Sequence, residues 1–364
     1  MTSERVAVLG TGLIGTSVAM AALRAGDEVV GFDPSPVVLE RAAARASGLR
    51  TADGIEECVD ASSVAFVCAP VEAVARTSVE ALEADPETVV SDVASVKSQI
   101  VLEVEASSSP VLRSRFVGGH PMGGSERSGP EAASPALLDD AVWVLTPCDA
   151  TGPEAVERVA SRIQAYGARP VVMDAGRHDR LVAFVSHLPQ VASTVLMDLA
   201  AGEEAGEPDI LLLAAGGFRD LTRLAASNPR LWSDILLANR QALADAVGRY
   251  ADRLLELRDA VSAGEAGDVE RTFASAKEAR LALAAKPQVK TGVAVVQVPV
   301  PDRPGVLAEL AAALGATDVN IEDLQIVHSP EGGRGTVHLT VAASAADAAT
   351  LALEAEGFEP LRLA

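Results

Sequence analysis

Over the first half of the chain, short runs of β-branched and apolar residues alternate with Ala-rich stretches of helical spacing. Val6–Leu9, Glu28–Phe32, Val64–Cys68, Thr88–Ser91, Phe116–Gly118, Val142–Thr146 and Pro170–Met173 read as strands. This alternation predicts βαβ units around a largely parallel sheet, because parallel strands need a crossover long enough to hold a helix. After His178 the strand signal stops, and helical patterns cover roughly residues 178–200, 228–262 and 265–285. The stretch Ala284–Gly292 carries Pro287, Lys286 and Lys290 and reads as a linker. Beyond it the order is strand (Val293–Val300), helix (Val306–Leu314), strand (Ile321–His328), a Gly-rich turn (Glu331–Gly335), strand (Thr336–Val341) and helix (Ala345–Glu356), with a closing strand near Glu359–Leu363. That βαββα order predicts a small ferredoxin-like sandwich. Three domains are expected: an α/β nucleotide-binding domain at 1–175, an all-helical domain at 176–286 and an α+β module at 293–364.

A chain of 364 residues exceeds what one core usually serves, in line with several domains. Its composition, 49% hydrophobic but only 3% aromatic, is that of a soluble protein with close helix packing. The net charge of −21 sets the chain against nucleic acid and anionic membranes, and it gives weight to each basic residue inside a motif. Cys58, Cys68 and Cys148 fit neither a zinc site nor a disulfide framework. A reducing cytosol and no metal are the expectation. The first residues lead straight into a strand pattern without a signal-peptide apolar region, so the protein is expected to be soluble and cytoplasmic.

The first strand runs into Gly10-Thr-Gly12-Leu13-Ile14-Gly15, the G-x-G-x-x-G spacing, followed by the helical pattern Thr16–Ala25. Gly10 permits the tight turn, Gly12 lets backbone N–H groups approach a pyrophosphate, and Gly15 allows close helix–strand contact. The second strand ends at Asp33, 18 residues past Gly15, where a carboxylate can accept from ribose hydroxyls and would repel a 2′-phosphate. NAD is therefore favoured over NADP as cofactor. Leu13, Ile14 and Ala69, the residue after Val64–Cys68, are counted with these glycines as cofactor-facing.

Further on, Val90-Ser-Asp92-Val-Ala-Ser95-Val-Lys97 is a strand running into a turn. Phe116-Val-Gly-Gly-His120 puts a histidine at the end of another strand in a Gly-rich loop. Ligands of open α/β sheets lie at the carboxyl ends of the strands. There a histidine can take a hydroxyl proton while hydride leaves the same carbon; the competing reading is a histidine satisfied by backbone in a tight loop.

The set Gly119-His120-Pro121 with Gly124, Glu126, Ser128 and Gly129, together with Asp92, Ser95-Val96-Lys97 and Ser186-His187-Leu188-Pro189, resembles the prephenate dehydrogenase family. So do Gly216-Gly-Phe-Arg-Asp220-Leu-Thr-Arg223 and Ser227-Asn-Pro-Arg-Leu-Trp232, the likeness covering roughly residues 5–286. The resemblance implies a Rossmann-type domain, a helical dimerisation domain giving a homodimer, and NAD-dependent oxidative decarboxylation of prephenate to 4-hydroxyphenylpyruvate, or of arogenate to tyrosine. It implies that His120 draws off the ring hydroxyl's proton with Ser95 fixing the same oxygen, that Arg223 clamps a carboxylate, that His187 holds the substrate's other end, and that Glu126 shapes or gates the loop. Gly216 is counted with the substrate-binding positions. For His187 a purely structural role stands beside this one, and Trp232 is either core or part of the pocket wall. Asp220 either caps a helix or pairs with Arg223, and Lys97 either faces the cofactor or solvates its turn.

Pro299-Val-Pro-Asp302-Arg-Pro-Gly305-Val306-Leu307, with the later Asn320-Ile321, resembles the ACT domain. That likeness implies an amino-acid effector at the first strand–helix turn, Gly305 letting the backbone approach and Asn320 lining the opposite wall; tyrosine is the natural effector. An appended module that only dimerises is the alternative. For the whole chain, the other readings are a dehydrogenase acting on 4-amino-4-deoxyprephenate and a catalytically silent NAD and amino-acid sensor.

Overall fold

The computed structural model describes residues 3–123, 128–204, 209–284, 293–301, 303–328 and 334–363. The chain divides into two compact units, residues 1–198 with 222–249, and residues 199–221 with 250–364.

The first unit is built on an eight-stranded sheet. Its strands are β1 (Arg5–Leu9), β2 (Glu28–Phe32), β3 (Arg50–Thr51), β4 (Val64–Val67), β5 (Val89–Asp92), β6 (Phe116–Pro121), β7 (Val142–Pro147) and β8 (Arg169–Val172), in the order β3-β2-β1-β4-β5-β6-β7-β8. All neighbours are parallel except β6 and β7, where the direction reverses. Alternate residues feed two cores: Val6 and Val8 enter one with Phe66, Trp143 and Tyr166, while Ala7 and Leu9 enter the other with Val67 and Phe116. Burial on both faces explains why these strands are continuous apolar runs. From β1 the chain winds to β2 and β3 on one side and returns to β4 on the other. This reversal opens a crevice at the carboxyl ends of β1 and β4, the place where α/β sheets bind ligands.

Two details differ from the sequence reading. The two-residue β3 was too short to show a pattern. His120 lies within β6 rather than in a loop, because β7 pairs alongside it: His120 opposes Val144, and Pro121 opposes Trp143.

The first helix after the sheet begins earlier than the apolar pattern suggests, at Ala175. Asp174 caps helix Ala175–Val182 by accepting the Arg177 N–H at 2.8 Å. A π-helical turn, Ala183–His187, then leads into helix Leu188–Glu204. Asn228 caps helix Pro229–Ala238, with Pro229 at the first helical position.

In the second unit, β9 (Val293–Pro301), β10 (Ile321–His328), β11 (Arg334–Ala342) and β12 (Leu361–Leu363) form an antiparallel sheet in the order β10-β11-β9-β12. Val296, Val298 and Val300 of β9 share a core with Leu310 and Leu314 of helix Val306–Gly315 and Leu353 of helix Ala346–Ala355. This is the ferredoxin-like arrangement expected from the sequence.

Candidate active site

The glycine loop turns tightly out of β1. Gly10 takes φ +97° and donates its N–H to Phe32 O at 2.7 Å, which ties the loop to the end of β2. Gly12 is the N-cap of helix Leu13–Arg24, and no side chain caps that end. A Cβ built at Gly12 would meet nothing within 4 Å. Free N–H groups at a helix start beside open space form an anion site. Asp33 frames its far side: Oδ2 accepts the Thr11 N–H at 2.8 Å and Oδ1 the Ser35 N–H at 2.9 Å. Ala69 follows β4 beside this loop, since a Cβ on Gly10 would lie 3.2 Å from the Ala69 nitrogen.

At the carboxyl ends of β5 and β6 the buried groups form one network. Lys97 is fully buried, forms an ion pair with Asp92 and donates to Gly119 O at 2.6 Å. Lys97 does not solvate its turn, because Asp92 and the Gly119 carbonyl draw the ammonium inside. Asp92 also accepts the N–H groups of Ala94 (2.9 Å) and Gly119 (3.2 Å), so the residue just before His120 is held at both its N–H and its carbonyl. His120 is 9% exposed, and its Nδ1 lies 2.8 Å from His178 Nε2. His178 Nδ1 lies 2.8 Å from Asp179 Oδ1. Asp179 in turn accepts the N–H groups of Lys97 and Ser98, each at 2.8 Å.

Burial pushes the His120 pKa well below its ordinary value, and neighbouring His178, Lys97 and His187 push the same way while Asp179 opposes them. His120 is thus neutral, able to accept a proton. Burial opposes ionisation of Asp179, yet the hydrogen bonds from His178, Ser98 and Lys97 outweigh it and hold the carboxyl below the usual range. Ser95 is half-buried on the turn after β5.

His187, in the π turn, is 1% exposed. The Asn239 amide nitrogen donates to Asp179 O at 2.9 Å and lies 3.2 Å from His187 Nδ1, and Trp232 meets the imidazole edge-on at 6.1 Å. Burial pushes the His187 pKa down to about 4. Trp232 is half-buried and also packs against the sheet core, so it belongs to the core and to the surroundings of His187 at once. Arg223 is exposed and opens a 3₁₀ turn, Arg223–Ala226, and among the described residues no hydrogen bond or ion pair engages its side chain. Gln190, one helical turn past His187, donates to Leu224 O at 2.8 Å and accepts from Ser227 Oγ at 3.4 Å, which ties the Arg223 turn to the His187 helix. In the second unit Gly216 starts helix Gly216–Thr222, and Asp220 sits inside that helix and not at its cap. Glu126 lies outside the described residues.

The second unit has a separate cavity of about 380 Å³ at the first strand–helix turn. Gly305, at φ +90°, Val306 and Leu307 line it, as expected. The opposite wall within one chain is Ile326, Gly335 and Val337, not Asn320 and Ile321. The register explains this lining: Gly335 pairs with Val300 beside the cavity, whereas Ile321 pairs with Val341 at the far end of the sheet. Asp302 lies outside the described residues.

Three family models match in succession: "Prephenate dehydrogenase, nucleotide-binding domain" over residues 18–172, "Prephenate dehydrogenase, dimerization domain" over 174–275, and "ACT domain" over 294–357. Prephenate dehydrogenase of Bacillus subtilis is 31% identical over 353 residues, covering 93% of this chain and 92% of its own. The chain belongs to the prephenate dehydrogenase family. Cyclohexadienyl dehydrogenase of Zymomonas mobilis is 33% identical over 286 residues, covering 77% of this chain and 96% of its own. Among solved structures, prephenate dehydrogenase from A. aeolicus in complex with hydroxyphenyl propionate and NAD+ superposes with a TM-score of 0.72 at 26% identity, covering 78% of this chain and 99% of that one.

As a member of this family the protein is an NAD-dependent oxidoreductase of tyrosine biosynthesis. The residues present fit the dinucleotide: an uncapped helix start, clear space over Gly12 and a carboxylate at the end of β2. Gly10, Gly12 and the N–H groups of Leu13 and Ile14 would hold the pyrophosphate, and Asp33 the ribose.

His178, Asp179 and Asn239 were not singled out from the sequence. A His–Asp pair opening a helix just after a sheet strand was the visible signal for the first two. Asn239 gave none, since its role depends on a helix 52 residues from His187.

Proposed function

We propose that the substrate is prephenate, oxidised and decarboxylated to 4-hydroxyphenylpyruvate. The observation that carries this reading is His120, neutral and just reachable, on the same carboxyl edge of the sheet as the glycine loop. NAD, held by the Gly10–Ile14 loop and Asp33, would supply the hydride acceptor for the carbon that bears the ring hydroxyl. The hydroxyl proton moves to His120 as that oxygen gains carbonyl character. The ring carboxylate leaves as CO₂, its bonding electrons enter the ring, and the proton returns as the phenol forms. Ser95 orients the same hydroxyl, and Arg223, with a fork geometry suited to carboxylates, holds a substrate carboxylate. The full-length likeness to a protein named prephenate dehydrogenase supports prephenate over its aminated analogue arogenate.

In this reading the working form is a homodimer, and tyrosine acts back through the ACT cavity, whose size lies within the range of small-molecule sites. The test is NADH absorbance with NAD and prephenate or arogenate side by side, with His120→Asn as control and tyrosine added in a second run. Turnover of prephenate that the variant lacks is the expected result. Turnover of arogenate alone would reassign the substrate, and turnover of neither would overturn the reading.

A further inference from the structure

We infer that His178 is a positioning residue for the reaction: with Asp179 it fixes the tautomer of His120 that leaves Nε2 bare to take the substrate proton. This rests on the role proposed for His120 and adds to it the device that makes the base competent. Asp179 is ionised and accepts the N–H groups of Lys97 and Ser98, so the group it receives at 2.8 Å from His178 Nδ1 is an N–H as well. With its single ring proton placed on Nδ1 toward Asp179, His178 presents the lone pair of Nε2. That lone pair lies 2.8 Å from His120 Nδ1, which must supply the hydrogen. The remaining nitrogen of His120, Nε2, therefore carries a lone pair. A histidine base is useful only in the tautomer that presents its lone pair to the reacting hydroxyl, and the bond made by its other nitrogen selects that tautomer.

The chain of bonds is buried. His178 is 1% exposed and Asp179 5% exposed, while the two rings meet edge to face with centroids 5.1 Å apart. The charged and titratable groups around His120 are His178, Asp179, Lys97 and His187, and Lys97 is already paired with Asp92. Only His178 reaches the Nδ1 of His120 among the described residues. When the proton arrives on Nε2, the positive charge spreads over His120 toward His178 and is balanced by the Asp179 carboxylate, so no net charge is stranded in the buried site.

The test uses the full chain with NAD and prephenate or arogenate, comparing wild type, His178→Leu and His178→Gln. A Gln side-chain carbonyl can accept the His120 Nδ1–H, and Leu cannot. His178→Leu is expected to lower kcat by about 10²-fold or more, with KM and NAD affinity changed less than about threefold, while His178→Gln stays within roughly tenfold of wild type. Nitrogen-15 NMR of labelled histidine at pH 8 is expected to show His120 protonated at Nδ1 and bare at Nε2 in wild type and in His178→Gln. A bare Nδ1 in wild type would overturn the inference, as would a Leu variant within twofold of wild type or a Gln variant as impaired as Leu. If His178→Leu does not fold, the Gln variant and the wild-type spectrum still decide. If wild type turns over neither substrate, the functional reading fails and the spectrum still tests the tautomer.

Discussion

Gly15 packs directly against Gly10: a Cβ at Gly15 would lie 1.9 Å from the Gly10 carbonyl oxygen and 3.1 Å from the Cys68 Cβ. No rotamer change relieves a clash with backbone, so Gly15→Ala must displace the loop or the helix. It is expected to destabilise the first unit by at least about 3 kcal/mol, at the upper end of overpacking costs. Gly12 is the opposite case, with free space around its Cβ position and φ −69°, a value any residue adopts. Gly12→Ala is expected to leave stability within about 1 kcal/mol of wild type while weakening NAD at least tenfold, because the methyl group fills the space meant for the pyrophosphate. Urea unfolding and NAD fluorescence titration separate the two. Equal loss of stability in both variants would sink the argument.

Lys97 and Asp92 are each fully buried, which makes their ion pair sensitive to losing one partner. Lys97→Met leaves the Asp92 carboxylate uncompensated and is expected to cost about 3–5 kcal/mol. Adding Asp92→Asn removes that charge and should restore part of the loss, so a double-mutant cycle reads the coupling directly. A single-variant loss below about 1 kcal/mol would mean that the pair does not hold the Gly119 segment.

The two ends of the site differed in how legible they were. The glycine loop could be read because its logic is local: a strand, three glycines and an acid at fixed spacing. The same holds for His120, which lies in a motif. The Lys97 burial could not be read, because the ammonium is drawn in by Asp92 and by a carbonyl 22 residues away in sequence, on a neighbouring strand. His178 and Asp179 looked like a domain boundary because the partner of His178, His120, is 58 residues distant, and the turn after β5 that donates to Asp179 is about 80 residues distant. In the ACT module the order of elements was legible, but the cavity wall was not. Strand register decides which end of β10 faces Gly305, and composition carries no register there.

The acid side of the stability curve follows from His187. Its pKa falls from 6.5 to about 4 in the fold. Between those values the unfolded chain binds a proton that the native state does not. Native stability from this group is therefore present in full above about pH 6.5 and is lost as the pH falls toward 4, by about 3 kcal/mol in total. His120, depressed in the same direction, adds to the same trend. Urea unfolding at pH 7.5, 6 and 5 should show wild type losing stability faster than His187→Gln. Parallel curves for the two would rule out a buried neutral His187.

Gln190 connects the helix of His187 to the turn that starts at Arg223, through its 2.8 Å bond to Leu224 O and its 3.4 Å contact with Ser227 Oγ. It is only 4% exposed, so no water replaces those bonds without rearrangement. Arg223 itself is exposed, and its aim depends on the turn beneath it. Gln190→Ala is therefore expected to act on substrate binding: KM for prephenate rises roughly tenfold, kcat changes less than about threefold, and NAD affinity is unchanged. Arg223→Ala should raise KM further, and the double variant should be little worse than Arg223→Ala alone, because both changes remove one clamp. Additive effects would show that Gln190 acts on something other than the arginine, and a fall in kcat at constant KM would place its influence on the chemistry at His120.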